Sequence, residues 1–188
     1  LRESAHLDTV TQQHCRASDA NVHMMQAFGV RPIVLVRNIY DSVMSLLDFY
    51  NIQGAYFNTY FRADFASMDE ETKIDLLIDN VVPWYMQFVA SWDLVEKQKR
   101  LEISWLRYED LISDKPAAIQ QVLNFYGLGA QQKAVEAKIR ETESEARKIR
   151  FNKGVAGRGT TGLSDQQKER IRRFSKYYPT TDFGRIGL

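Results

Sequence analysis

The sequence predicts an α/β protein built on a parallel sheet flanked by helices, and three observations carry that prediction. Short apolar runs alternate with amphipathic helical patterns, as a chain that crosses back over a parallel sheet requires. Residues 33 to 36 form an unbroken apolar run, the pattern of a strand covered on both faces. A second strand pattern, in which apolar and polar residues alternate from Leu101, leads into a helix with clear start and stop signals.

Taken in order, the segment DTVTQQH reads as a short strand ending at His14. The run Ile33, Val34, Leu35, Val36 is a strand ending at Arg37. Beyond it, Val43, Leu46, Leu47 and Tyr50 recur at helical spacing and define one buried face. At ~100° per residue Ser45 falls well away from that stripe, beside Asp41 and Asp48, where the core does not claim it. Residues 70 to 99 read as mostly helical, with Pro83 expected to start or kink a helix. Leu101, Ile103 and Trp105 alternate as a second strand. The helix after it has Asp114 as N-cap, Pro116 in its first turn, Ile119, Val122, Leu123 and Tyr126 on one face, and Gly127 past its end. Near the C-terminus, Ser164 and Gln167 stand at capping-box spacing ahead of a helix that carries Ile171, Phe174 and Tyr178 and stops by Pro179.

Composition narrows the functional classes. The chain has 188 residues, 44% hydrophobic and 26% charged, enough for one domain with a real core, and it is read as a single domain over residues 1–188. Its net charge of +1 supplies no general attraction to nucleic acid or to a membrane surface, so any anion site must be local. Cys15 is the single cysteine, which excludes an intramolecular disulfide and favours a reducing, cytoplasmic setting. No apolar run approaches the ~20 residues of a bilayer span. The opening LRESAHLDTV lacks the apolar core of a signal peptide and reads like a chain entered in the middle of a fold. Nothing in the composition decides against a homo-oligomer.

Three groups of residues carry candidate chemistry. In open α/β sheets ligands bind at the carboxyl ends of strands, where Arg37 and Tyr108 both fall. Arg37 can offer a planar fork of donors to a phosphate; read singly, it is first a structural ion pair, for instance with Asp41, and only second a ligand contact. Ser45 lies about 6 to 8 Å further up the helix at 1.5 Å per residue, close enough to converge with Arg37 on one anion. The second group is ARKIRFNKGVAGRGTTG, residues 146 to 162. Arg147, Lys148, Arg150, Lys153 and Arg158 have no acidic residue among them, and the glycines, Gly154 and Gly159 included, let the backbone approach a ligand closely. The alternative is a solvated basic loop. It is not a Walker A loop, because no G-K-[ST] ends it. The third candidate is His14, whose imidazole could take a proton from a substrate hydroxyl. One cysteine and scattered histidines make a structural metal site unfavourable.

Together these residues resemble the cytosolic-type sulfotransferase family, enzymes that move a sulfuryl group from 3′-phosphoadenosine-5′-phosphosulfate to an acceptor hydroxyl or amine. The family's 3′-phosphate motif is a strand ending in Arg-Asn, then Pro, an Asp, and a Ser eight residues after the Arg; here it reads Arg37, Asn38, Ile39, Asp41 and Ser45, with Ile39 in place of proline. LRYEDL is similar to the Tyr-Glu-Asp element whose tyrosine lies beside adenine, a role that maps to Tyr108. FNKGVAGRG resembles the Arg-Lys-Gly-x-x-Gly loop over the 3′-phosphate: Lys153, Gly154 and Gly157 fit, while Asn152 replaces the arginine and Gly159 a common tryptophan. YYPTTDFGRIGL looks like the tail of bacterial members. The family's Lys-Thr-His, with the histidine as general base, falls in register on Gln12, Gln13 and His14.

The resemblance implies a P-loop-NTPase-like parallel sheet and a metal-independent transfer from the nucleotide donor. It also implies an N-terminal strand and 5′-phosphate loop that nothing in these residues matches. The acceptor stays open among small molecules, sugars and lipids. Tyr56, Phe57, Tyr60, Phe61, Trp84, Tyr85 and Phe88 could line its pocket, although their helical spacing reads mainly as core. Two other readings remain: a nucleotide-binding relative without catalysis, and a small-molecule kinase on a P-loop fold.

Overall fold

A computed structural model describes residues 10–53, 65–129, 131–145 and 155–188. In chain order these form α1 (Asp19–Ala27), β1 (Ile33–Val36), α2 (Ile39–Gln53), α3 (Glu70–Lys97), β2 (Ser104–Arg107), α4 (Tyr108–Ser113), α5 (Lys115–Phe125), α6 (Gln132–Glu145), α7 (Arg158–Gly162) and α8 (Asp165–Ser175). Short 3₁₀ turns lie at Phe65–Ser67 and Gly184–Ile186. The two strands pair in parallel, with Val34 opposite Trp105 and Val36 opposite Arg107. The parallel βα arrangement expected from the apolar runs is therefore present, and it brings the carboxyl ends of both strands side by side.

The core forms where α2 and α3 pack together and α8 closes on α3. Val34 and Val36 of β1 enter it with Val43 and Leu47 of α2, Leu77, Ile78, Met86 and Val89 of α3, and Ile171 of α8. On β1 the side chains alternate: Val34 and Val36 are buried while Leu35 is 46% exposed. The strand is thus covered on one face among the described residues, where its continuous apolar run predicts cover on both. Ile39, the residue in the usual proline position, is the first residue of α2 and is fully buried. Proline is favoured at a first helical position because its φ is already set; here hydrophobic burial holds that position instead.

Several helix signals read from the sequence act as expected. Asp114 accepts a hydrogen bond from the Ala117 N–H at 3.0 Å, and Gly127 takes φ +70° beyond the end of α5. Ser164 and Gln167 form a reciprocal capping box. Ser164→Ala is expected to cost about 1 kcal/mol of stability, and an unchanged melting temperature on thermal denaturation would show that the box contributes nothing.

Two segments differ from the simplest expectation. Pro83 does not start a helix but lies inside a continuous α3, where the buried stripe Ile78, Val82, Met86 and Val89 carries the helix through the missing N–H. Residues 10–18 form no strand; they run without regular structure along α3. There the Trp92 indole N–H donates to the Cys15 carbonyl at 3.2 Å, the Ala17 N–H donates to the Ser91 hydroxyl at 3.0 Å, and Arg16 bonds to Gln87. Side chains of a helix can satisfy a backbone as a neighbouring strand would. Among the described residues no helix is long and apolar enough to cross a membrane.

Candidate functional site

The strand register decides the centre of the site. Because Val36 sits opposite Arg107, the next residues, Arg37 and Tyr108, emerge at the same edge of the sheet. The Arg37 guanidinium lies over the Tyr108 ring, 4.4 Å from its centroid. Stacking occupies the flat face of a guanidinium and leaves the in-plane N–H donors directed outward. One of them reaches the Val155 carbonyl at a long 3.4 Å, and Nε is buried with no hydrogen-bond partner. A buried charged donor without a partner costs upward of ~1–3 kcal/mol in a folded protein.

The alternative reading of Arg37, an ion pair with Asp41, does not hold. Asp41 is buried, and its two carboxylate oxygens accept the backbone N–H groups of Gly157 at 2.6 Å and Gly159 at 2.7 Å. No carboxylate pairs with Arg37 among the described residues.

Backbone fixes the arginine from below. Its N–H donates to the Tyr85 hydroxyl at 2.7 Å, and that hydroxyl donates to the Arg37 carbonyl, also at 2.7 Å. Burial pushes the Tyr85 phenol up to about 12, so the hydroxyl keeps its proton across the neutral range and goes on donating. The next residue, Asn38, gives its N–H to Glu109 Oε1 at 2.8 Å, and its own side chain caps α2 by accepting from Tyr40 at 3.0 Å. Glu109 thereby ties the turn after β1 to the helix that carries Tyr108. The sequence alone places Tyr85 mainly in the core, and Glu109 and Asn38 only within their motifs. The available signals were an asparagine ahead of an apolar helix start and an acidic residue beside Tyr108.

Ser45 is half-buried on α2, on the same side as Asp41 and Asp48. That side is not open to solvent as the helical period alone implies, since α7 packs on it. Arg158 of α7 pairs with Asp48 at 2.6 Å, which holds its guanidinium above the usual arginine range. Its charge is therefore engaged and not part of a free basic loop. Gly159 also serves a different purpose from the one expected: a Cβ there would lie 2.3 Å from the Tyr40 carbonyl carbon. The glycine lets the loop meet α2, and its N–H is already taken. Lys153 and Gly154, like Tyr56, Phe57, Tyr60 and Phe61, lie outside the described residues. His14 is exposed on the irregular segment before α1 and makes no hydrogen bond to the described residues. Tyr85 and Phe88 pack against the core, as their spacing implies, whereas Trp84 is 39% exposed and stacks on Phe88 at 5.6 Å. The structure brings Arg37, Tyr108 and the Val155 end of the loop together; among the described residues no hydrogen bond joins them to Ser45 or His14.

The described residues hold no group of histidine, cysteine and carboxylate side chains arranged for a metal ion. Arg37, held from behind by its backbone, stacked on Tyr108 and paired with no carboxylate among the described residues, suits an anion flanked by a flat ring.

A family model described as a sulfotransferase domain matches residues 10–175. Among solved structures the chain is similar to the crystal structure of mouse sulfotransferase SULT7A1 complexed with PAP, at 16% sequence identity and a TM-score of 0.65. That likeness covers 86% of this chain and 63% of the mouse chain, so the protein spans less than two thirds of the length of that relative. No curated protein matches the sequence.

Proposed function

The chain belongs to the sulfotransferase family, and from that premise we propose that it binds 3′-phosphoadenosine-5′-phosphosulfate and passes its sulfuryl group to a hydroxyl or amine acceptor. Arg37 and Ser45, with Lys153 and Gly154, hold the 3′-phosphate, and Tyr108 lies beside the adenine. The observation that carries this reading is Arg37 itself, stacked on Tyr108 with a buried Nε and no carboxylate partner among the described residues. A phosphate oxygen in the plane of the guanidinium would satisfy that donor without disturbing the stack. The PAP bound in the mouse sulfotransferase supports the same choice of nucleotide.

In the proposed transfer, the acceptor oxygen attacks sulfur in line, its proton passes to His14, and the bond from sulfur to the bridging phosphate oxygen breaks. Adenosine 3′,5′-bisphosphate leaves with the electron pair. Charge grows on that bridging oxygen, so cationic donors near the 5′-phosphate lower the barrier. No step requires a metal. A cytoplasmic setting fits the single cysteine and a soluble nucleotide donor.

Calorimetric titration tests the donor assignment. Adenosine 3′,5′-bisphosphate is expected to bind at least about tenfold more tightly than ATP, because a charge-assisted phosphate contact is worth ~1.5–3 kcal/mol. Equal or absent binding of the two would sink the assignment. A nucleotide-binding protein without catalysis is the second reading. The exposure of His14, with no described residue to orient it, favours that reading, and the activity measurements below separate the two.

A further inference from the structure

Buried carboxylates are rarely left without charged or multiple partners. Asp41, 3% exposed, forms no ion pair among the described residues, since the nearby Arg158 guanidinium is bonded to Asp48, and it is held instead by two N–H groups at the start of α7, those of Gly157 and Gly159. The loop meets α2 so closely at this point that the Gly159 Cα almost touches backbone: an added Cβ would lie 2.3 Å from the Tyr40 carbonyl carbon and 2.6 Å from the Asp41 nitrogen. Gly157 stands at φ +86°, a conformation that disfavours side chains. Two residues before it, the Val155 carbonyl approaches the Arg37 guanidinium at 3.4 Å.

We propose that Asp41 is a positioning residue for the 3′-phosphate subsite: by gripping the Gly157 and Gly159 amides it sets where the loop lies against α2, and so where its Val155 end lies beside Arg37. This inference rests on the donor reading above. An ionised carboxylate suits the task because both its oxygens accept and neither donates. The start of α2 favours its charge as well, since Asp41 lies in the first turn of the helix. An asparagine would keep one acceptor and turn an N–H₂ group toward the second amide, so that a donor faces a donor. The Gly157 and Gly159 amides are thereby engaged by the protein and are not offered to the phosphate.

The experiment compares adenosine 3′,5′-bisphosphate with adenosine 5′-monophosphate by calorimetry, in the wild-type protein and in Asp41→Asn. The ratio of the two dissociation constants measures recognition of the 3′-phosphate alone. Asp41→Asn is expected to cut that ratio about tenfold, the equivalent of one lost charge-assisted hydrogen bond, while the monophosphate binds within about twofold of wild type. Gly159→Ala should reproduce the loss from the other side of the contact with Asp41 intact, and it decides the matter if Asp41→Asn does not fold. Asp114→Ala, which removes the cap of α5, should lower the melting temperature without moving the ratio. A ratio preserved in Asp41→Asn and Gly159→Ala overturns the inference, and so does equal weakening of both nucleotides, which assigns Asp41 to stability alone. If the wild type shows no preference for the 3′-phosphate, the donor reading falls and this inference with it; a wild-type preference that survives in both variants removes the inference only.

Discussion

Arg37→Ala is expected to weaken binding of adenosine 3′,5′-bisphosphate by roughly 100-fold or more while leaving the fold intact. Removing one partner of a desolvated charge pair costs ~2–5 kcal/mol, of which 1.4 kcal/mol is a factor of ten. The structural role of the side chain is smaller. Its stack on Tyr108 contributes on the order of 0.5–1 kcal/mol at a partly exposed position, and the hydrogen bonds to Tyr85 come from the Arg37 backbone, which alanine retains. Binding should therefore collapse with a melting temperature close to wild type. Arg37→Lys should recover only part of the affinity, because an ammonium keeps the charge but loses both the planar fork and the flat face that lies on the ring. Calorimetry and thermal denaturation on the same preparations check this. Binding of Arg37→Ala within about threefold of wild type would remove the arginine from the site.

His14→Ala is expected to lower kcat for sulfuryl transfer by about 10²–10⁴, the range of a general base, with nucleotide affinity unchanged. The separation of the two effects follows from location. His14 is exposed on the segment before α1 and bonded to nothing described, so its loss should alter stability by less than about 0.5 kcal/mol. The neighbouring backbone is held by its own contacts, from Trp92 to Cys15 and from Ala17 to Ser91. A variant that turns over normally would take His14 out of the mechanism. A wild-type protein that binds nucleotide yet transfers nothing to any of a panel of labelled acceptors would favour the non-catalytic reading.

Much of the candidate site is legible one residue at a time. The apolar run ending at Arg37, the capped helix after Asp114 and the capping box at Ser164 are local patterns, set by a few neighbouring residues, and the structure forms all of them. The parallel pairing that unites Arg37 with Tyr108 follows from the same two strand ends once the sheet is assumed. Failures occur where distant chain segments decide the outcome. The periodicity of α2 leaves Asp41, Ser45 and Asp48 outside the main core stripe, and no local rule tells that α7 will cover them. Arg158 counts as a free cation until Asp48 lies 2.6 Å away. The segment ending at His14 has strand-like composition, but it rests on helix side chains and forms no ladder.

By itself, then, the sequence determined the βα units and their caps, because each depends on backbone propensity and periodicity along a short stretch, while the spacing of Arg37, Asp41, Ser45 and Tyr108 enters as a resemblance to the family's motifs. Only the tertiary structure decided what those residues hold. Arg37 is stacked on Tyr108 while Asp41 is closed on two glycine amides. Which donor meets which acceptor depends on the packing of helices remote in sequence, and a buried carboxylate takes whichever donors that packing delivers.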